Sequence, residues 1–277
     1  MRGKPAAAEV EASLTAAIAR ATGEGRRPPG LAVLLVGDNP ASEVYVSSKM
    51  KACRRVGFRS EVVRLPAASS TDAVVDAVQR LNEDPVIDAF IVQMPLPSGV
   101  EAEVVLEAIR PAKDADGLHP ANLGRLLVGQ AGPKPCTPRG VMRLLSYYGI
   151  DPAGARATVV GRSRLVGWPM AILLTAAQAT VTLAHSRTVD LRGACASADL
   201  LVVAAGQPQL IPGDWIQPGA VVVDVGVSRT PDGLRGDVRF DEASRRAAAI
   251  TPVPGGVGPL TVAMLLQNAW EAYASGL

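Results

Sequence analysis

The chain has 277 residues, room for about two domains at the usual 100 to 200 residues each, and 48% of them are hydrophobic. The formal net charge is only +2 with acids and bases interspersed, which leaves no nucleic-acid or membrane-surface footprint. Cys53, Cys136 and Cys195 are widely spaced without a C-x-x-C pair, and His119 and His185 are the only histidines; this argues against a disulfide framework, a metal site and a Ser-His-Asp triad, and fits reduced thiols in a cytoplasm.

In chain order, residues 1–20 read as an exposed helix, because Glu9 and Glu11 interrupt any apolar stretch that could act as a signal core. Apolar runs at 31–36, 61–65 and 89–92 read as strands; helices over 42–56, stopped at Gly57, and over 71–82 lie between them. Such alternation predicts an α/β domain with parallel strands. The Gly/Pro-rich stretch Gly129 to Pro138 marks a hinge, with Thr137-Pro138 capping a helix that runs to Tyr148. A second α/β unit follows, with strands at 157–160, 179–184, 200–204 and 221–225 and a closing helix from about Leu260 to Tyr273. The uncharged stretch 165–186 reads as a helix followed by a buried strand, since Gly167, Trp168-Pro169 and Gln178 interrupt it, and no membrane span is predicted.

Chemistry in the first domain centres on the helix after the first strand. Ser42, Tyr45 and Lys49 fall at i, i+3 and i+7 and so share one face, beside an apolar stripe of Val46, Met50 and Cys53. Lys49 is thereby predicted at the border of the core, where partial desolvation favours a neutral amine able to act as a base or proton shuttle; the alternative is an ordinary solvated lysine. Gln93 follows a strand at its carboxyl end, the edge where open α/β sheets place ligands. Lys113-Asp114-Ala115-Asp116-Gly117 offers two carboxylates in a turn, suited to a ring with several N–H donors; the alternative for Asp114 is a plain Asx or glycine turn, and for Asp116 a turn and a binding role fit equally on local grounds.

In the second unit, Val160-Gly161-Arg162-Ser163-Arg164-Leu165-Val166-Gly167-Trp168-Pro169 joins a strand to a helix through backbone suited to a bound phosphate. The spacing departs from G-x-G-x-x-G, with Ser163 at the second glycine and Gly167 one residue late, so a turn that binds nothing fits the loop alone equally well. About twenty residues past Gly161 stand His185, Ser186 and Arg187, and no acid occurs between Gly161 and Thr188. A free ribose 2′-hydroxyl is usually met there by Asp or Glu, whereas a 2′-phosphate needs positive charge and hydroxyls, so Arg162, Ser186 and Arg187 predict NADP over NAD.

Taken in order, the motifs Tyr45-Val46-Ser47-Ser48-Lys49, Val92-Gln93-Met94-Pro95-Leu96-Pro97, Lys113-Asp114-Ala115-Asp116-Gly117, Pro135-Cys136-Thr137-Pro138, Val159-Val160-Gly161-Arg162-Ser163 and Pro254-Gly255-Gly256-Val257-Gly258-Pro259 resemble one family. It is the bifunctional methylenetetrahydrofolate dehydrogenase/methenyltetrahydrofolate cyclohydrolase family, and the resemblance spans nearly the whole chain. It implies NADP-dependent oxidation of 5,10-methylenetetrahydrofolate and hydrolysis of the 5,10-methenyl product to 10-formyltetrahydrofolate, in a cleft between an N-terminal α/β catalytic domain and a Rossmann-like NADP-binding domain. The implied catalytic domain is discontinuous, residues 1–135 and 252–277, around a cofactor domain at 136–251.

The resemblance also implies roles. Lys49 would be the key group in cyclohydrolysis, Gln93 would hydrogen-bond it, Tyr45 would stack on the folate and Asp116 would accept from the pterin N–H groups. Ser42 would sit near the lysine and Cys136 near the nicotinamide, both as supporting residues, while Pro254, Gly255, Gly256 and Val257 would line the cleft beside the folate. The partners implied are tetrahydrofolate derivatives and a second copy of the chain in a homodimer built through the cofactor domain. Departures from the family pattern are Leu260, Ser228, Arg239 and Trp168, none of which removes a catalytic group. Two other readings fit parts of the pattern: an NADP-dependent oxidoreductase acting on a small amino or keto acid, and a nonenzymatic NADP-binding regulator.

Overall fold

A run of seven apolar residues headed by glycine leaves no face for solvent, and Gly30–Val36 (β1) is buried along its whole length in the computed structural model, which describes residues 1–276. β1 is the middle of a three-stranded parallel sheet between Arg59–Leu65 (β2) and Ala89–Val92 (β3), in the order β2-β1-β3. Parallel neighbours need crossovers, and helices Pro40–Val56 (α2) and Thr71–Glu83 (α3) provide them. Ser70 caps α3 by accepting from the Ala73 amide, and Gly57, at φ +94°, ends α2. Alternate residues of β1 (Ala32, Leu34, Val36) meet Val74, Val78 and Leu81 of α3 and Phe90 and Val92 of β3 in one core. Two short helices follow, Ala102–Glu107 (α4) and Pro120–Leu127 (α5), and the N-terminal helix is Gly3–Gly23 (α1).

Helix α1 corrects the prediction of an exposed helix. Ala6, Val10, Leu14, Ile18 and Ala21 are buried at three- and four-residue spacing, while Glu9 is exposed and Glu11 pairs with Arg55. The two acids that break the apolar run in sequence leave the buried stripe intact.

The second sheet has five parallel strands in the order β10-β7-β6-β4-β5. Its elements are Cys136–Tyr147 (α6), Arg156–Val160 (β4), Gly167–Ala176 (α7), Thr180–Ala184 (β5), Leu191–Ala196 (α8), Leu200–Val203 (β6), Val221–Asp224 (β7), the antiparallel pair Ser228–Thr230 (β8) and Gly233–Arg235 (β9), Phe240–Ala243 (α9) and Ala249–Ile250 (β10). The closing helix is Gly258–Ala274 (α10). Side chains alternate across the sheet, so that Leu201 and Val203 join a core with Cys195, Ala198 and Val222, while Leu200 and Val202 join another with Met170 and Leu174 of α7. The chain passes from β4 to β5 on one side and then to β6 on the other. Strand order therefore reverses beside β4, the position where doubly wound sheets bind ligands.

Helix α6 opens at Cys136 after Pro135, one residue before the predicted cap; Thr137 instead shares a 3.1 Å hydroxyl hydrogen bond with Thr261. The chain divides into two compact units, Glu9–Lys134 with the chain from Val262 on, and Met1–Ala8 with Pro135–Thr261. The second unit thus takes in residues 1–8 and 252–261, which the sequence reading assigns to the first domain. Backbone contact is the reason: the Gly3 amide donates to the Gly255 carbonyl at 3.0 Å, and a Cβ at Gly3 would stand 1.9 Å from the Gly256 oxygen. No helix among the described residues is long and apolar enough to cross a membrane.

Candidate active site

In the first unit, α2 begins at Pro40, a residue whose missing N–H costs nothing at a helix start. Its periodicity buries Val46, Met50 and Cys53 and sets Ser42, Tyr45 and Lys49 in the adjacent row, from which Lys49 reaches Gln93 at the carboxyl end of β3. Ser42 is buried, Lys49 half-buried, and Tyr45 leaves 55% of its surface exposed, an available aromatic face.

Gln93 continues the β3 ladder by one residue, its amide donating to the Leu34 carbonyl at 2.9 Å. Its side-chain Nε2 donates to the Met94 carbonyl at 2.7 Å, which turns Oε1 outward, and Lys49 Nζ donates to that oxygen at 3.0 Å. An amine from a helix and a neutral acceptor from a strand end are thus held together by elements with separate packing reasons.

The two carboxylates of the 113–117 turn divide their work. Asp114 is buried, and its oxygens accept from the Gly117 amide at 3.0 Å, the His119 amide at 2.8 Å and Asn122 Nδ2 at 2.9 Å. Burial raises its carboxyl above the ordinary range against the pull of those donors. It builds the turn, and Asp116 is carried half-buried on it. Sequence reasoning missed Asn268, a buried side chain of α10 whose Nδ2 donates to the carbonyls of Ala115 and Lys134, both at 2.8 Å. Only its place on an otherwise apolar helix face marks it in the sequence.

In the second unit, a cavity of about 540 Å³ opens at the carboxyl ends of β4, β5 and β6. Gly161, Arg162, Ser163, His185 and Ser186 line it, with Ala204, Ala205 and Gln207 opposite. Backbone packs on backbone here. Gly161 has φ +117°, and a Cβ there would stand 2.2 Å from the Ala204 oxygen; a Cβ at Gly167 would stand 2.0 Å from the Gly161 oxygen. Ser163 ties the loop to the helix, its Oγ accepting from the Val166 amide at 3.2 Å and its carbonyl from the Trp168 amide at 3.1 Å. Arg162 and Ser186 are exposed on the cavity wall. Arg187 is exposed beyond it, its amide donating to His185 Nδ1 at 3.1 Å. The nearest following acid, Asp190, caps α8 through the Gly193 amide at 2.7 Å. A bare-backbone cradle with arginine and serine at the ribose position fits a phosphorylated dinucleotide. Cys136 is buried at the start of α6 and does not line this cavity. Of the C-terminal motif, Gly255 has φ +102°, a Cβ at Gly256 would meet Thr251 and the Pro252 carbonyl at 2.7 Å, and Val257 is buried, while Pro254 follows a cis peptide bond.

A second missed feature is a pair of buried aspartates behind the cavity. Asp224 ends β7 and accepts from the amides of Gly226, Asp237 and Val238 at 2.9 to 3.0 Å. Burial pushes its carboxyl up to about 7 against those amides, and the Asp237 carboxyl pushes the same way. An aspartate near 7 in the fold and near 4 when unfolded adds stability that is complete below about pH 4 and is lost as pH rises through about 7. The loss between pH 6 and pH 8 is about 1 kcal/mol. The urea midpoint should therefore fall over that interval in the wild type and much less in Asp224→Asn; parallel slopes would place the titrating proton elsewhere.

The family model for the tetrahydrofolate dehydrogenase/cyclohydrolase catalytic domain matches residues 1–116, and the model for the NAD(P)-binding domain of the same family matches residues 135–276. The bifunctional protein FolD of Synechococcus sp. (strain RCC307) is 55% identical over 273 residues, 98% of this chain and 94% of that protein. Among solved structures, the bifunctional FolD methylenetetrahydrofolate dehydrogenase/cyclohydrolase of Campylobacter jejuni matches with a TM-score of 0.97 at 43% identity, covering 100% of this chain and 98% of that one. The FolD of Trypanosoma brucei, solved with NADP cofactor and an inhibitor, matches with a TM-score of 0.94 at 41% identity, covering 100% and 97%. With both domain models matched in order and relatives alike along nearly their full length, this chain belongs to the tetrahydrofolate dehydrogenase/cyclohydrolase family.

Proposed function

We infer that the protein oxidises 5,10-methylenetetrahydrofolate to the 5,10-methenyl cation with NADP, and hydrolyses that cation to 10-formyltetrahydrofolate. The observation that carries this reading is the Lys49–Gln93 contact at the carboxyl end of β3, beside the exposed ring of Tyr45. A small amino or keto acid as substrate would leave Tyr45 and Asp116 without a purpose.

Hydrolysis adds water to the methenyl carbon: as the C–O bond forms, the C=N π pair returns to nitrogen and a proton leaves the attacking oxygen. The C–N5 bond then breaks as the remaining hydroxyl proton passes to N5, which leaves the 10-formyl group and one proton released overall. Lys49 receives or relays that proton, and Gln93 Oε1 holds the nitrogen at its post. Tyr45 presents its ring face to the planar folate. Asp116 accepts from the pterin N–H groups and so fixes where the one-carbon bridge lies, which is most of what hydride transfer asks of the protein. Ser42 supports the lysine from the same helix face, and the 254–257 turn, exposed at Pro254 and Gly255, would meet the substrate.

NADP, when bound, supplies the hydride acceptor. Gly161 and Gly167 let the cradle pack backbone on backbone at the start of α7, where the NADP pyrophosphate would be held, with Ser163 adding a hydroxyl. Arg162, His185, Ser186 and Arg187 would supply the charge and donors for the 2′-phosphate. One charge-assisted contact of this kind is worth about 1.5–3 kcal/mol, so kcat/KM should favour NADP over NAD by about 10- to 100-fold.

The test is absorbance of the purified protein with 5,10-methylenetetrahydrofolate and either nucleotide, following reduced nicotinamide and the methenyl compound together. NADPH formation without methenyl accumulation is expected. Accumulation would remove the hydrolytic half of the reading, faster turnover with NAD the cofactor assignment, and no reduced nicotinamide the whole.

A further inference from the structure

Two short motifs of the second unit take no part in the reaction as derived above: Asp224-Val225-Gly226 and Gly236-Asp237-Val238. Each carries one glycine and one aspartate, and the fold places them face to face. A Cβ at Gly226 would stand 2.2 Å from the Asp237 carboxyl carbon, and a Cβ at Gly236 would stand 2.0 Å from Asp224 Oδ2. Each glycine makes room for the other motif's aspartate. Asp224 in turn fixes the backbone of the second motif through the amides of Asp237 and Val238.

The Asp237 side chain then reaches the cofactor wall. Fully buried, its Oδ2 accepts from the successive amides of Ala205 at 2.7 Å and Gly206 at 2.8 Å, and the Gln207 amide faces the same carboxyl. Successive amides converging in this way form a concave anion-binding nest, filled here from within the protein. Gly206 sits at φ +68°, a conformation that turns these amides inward. Ala204, Ala205 and Gln207 line the cavity, and the Ala204 oxygen is the surface on which Gly161 packs. A continuous chain of contacts therefore runs from Asp224 through Asp237 and the 204–207 turn to the phosphate cradle. No other element bonds the Ala205 and Gly206 amides among the contacts described.

We propose that Asp237 is a positioning residue for the cofactor: from behind the cavity it clamps the Ala205-Gly206 backbone, and so sets the affinity for the phosphorylated nicotinamide nucleotide without touching it. The proposal rests on the reading of the second unit as the NADP site. Both amide bonds use one oxygen, Oδ2, so asparagine can preserve the clamp by placing its carbonyl oxygen there, whereas alanine removes it.

The experiment is calorimetric titration of the full-length protein with NADP, alongside cyclohydrolysis of 5,10-methenyltetrahydrofolate assayed without nucleotide. Asp237→Ala is expected to raise the NADP Kd about tenfold, the loss of two ordinary hydrogen bonds, while cyclohydrolysis stays within about twofold of wild type. Asp237→Asn should return the Kd to within about threefold. An unchanged Kd in the alanine variant overturns the proposal. A matching loss of cyclohydrolysis also overturns it, because the residue would then support the fold in general, and so does an asparagine variant as weak as alanine, which would assign the effect to charge.

Should the alanine variant fail to fold, amide hydrogen exchange on the wild type decides: the Ala205 and Gly206 amides are expected to be protected before NADP is added, and exchange at open-loop rates refutes the clamp. Wild-type protein that binds NADP without reducing it would overturn the proposed reaction and leave these Kd comparisons to judge Asp237. Absence of NADP binding would overturn both.

Discussion

Replacing Lys49 by methionine is expected to lower cyclohydrolysis by about a thousandfold while hydride transfer persists at a measurable fraction of wild type. Methionine keeps an unbranched apolar stem along the Val46–Met50 face of α2 and removes only Nζ, so packing survives. What is lost is the one group hydrogen-bonded to Gln93 Oε1 from the α2 face, and with it the acceptor or relay for the proton of attacking water. Positioned acid–base groups contribute about 10² to 10⁴ in rate, which sets the expected size. Oxidation of the methylene compound makes no such demand, because its carbon loses a hydride and no water is activated. Consumption of 5,10-methenyltetrahydrofolate and formation of NADPH, measured separately on the same preparation, check this. Equal loss of both activities would show that Lys49 serves substrate binding in general.

Gly161→Ala should abolish NADP binding over the measurable range and destabilise the second unit by about 3 kcal/mol or more. Two costs coincide at this position. The backbone has φ +117°, which L-residues rarely adopt, and the added methyl would lie 2.2 Å from the Ala204 oxygen. Ala204 cannot retreat freely, since its own amide donates to the Val160 carbonyl at 2.8 Å and its neighbours are held by Asp237. The strain has to appear in the loop, where the Gly161 oxygen packs against Gly167, so the cradle opens at the phosphate position. Thermal unfolding and NADP titration read the two effects. A variant with wild-type affinity would show that the cofactor does not use this loop.

Much of the candidate site is legible in sequence because its residues lie on regular elements. Ser42, Tyr45 and Lys49 share a face by helical period alone, and Gln93 follows a four-residue apolar run, too short for a helix and followed by Pro95, that reads as a buried strand. The acid-free interval after Gly161 also needs no structure to be seen. Tertiary pairing is what sequence hides. Asp224 and Asp237 lie thirteen residues apart across a small hairpin, and neither motif announces that its glycine makes space for the other's carboxylate. Asn268 meets Ala115 across more than 150 residues of chain. The helices α4, α8 and α9 have four to six residues, too few for a periodic signal. Helix α1 misled for the opposite reason, since Glu9 and Glu11 interrupt its sequence without interrupting its buried stripe.

The interlock of Gly161 with Ala204 and of Gly167 with Gly161 separates two properties that a dinucleotide site could have merged. In the proposed reading, grip on the pyrophosphate would be carried by main chain in contact with main chain, where an added Cβ at Gly161 or Gly167 meets a backbone oxygen at 2.0 to 2.2 Å. Choice between the phosphorylated and unphosphorylated nucleotide would fall to the side chains of Arg162 and residues 185–187, of which Arg162, Ser186 and Arg187 are exposed. On that reading, a change of coenzyme would need substitutions at Arg162 and at the end of β5, with Gly161 and Gly167 left in place.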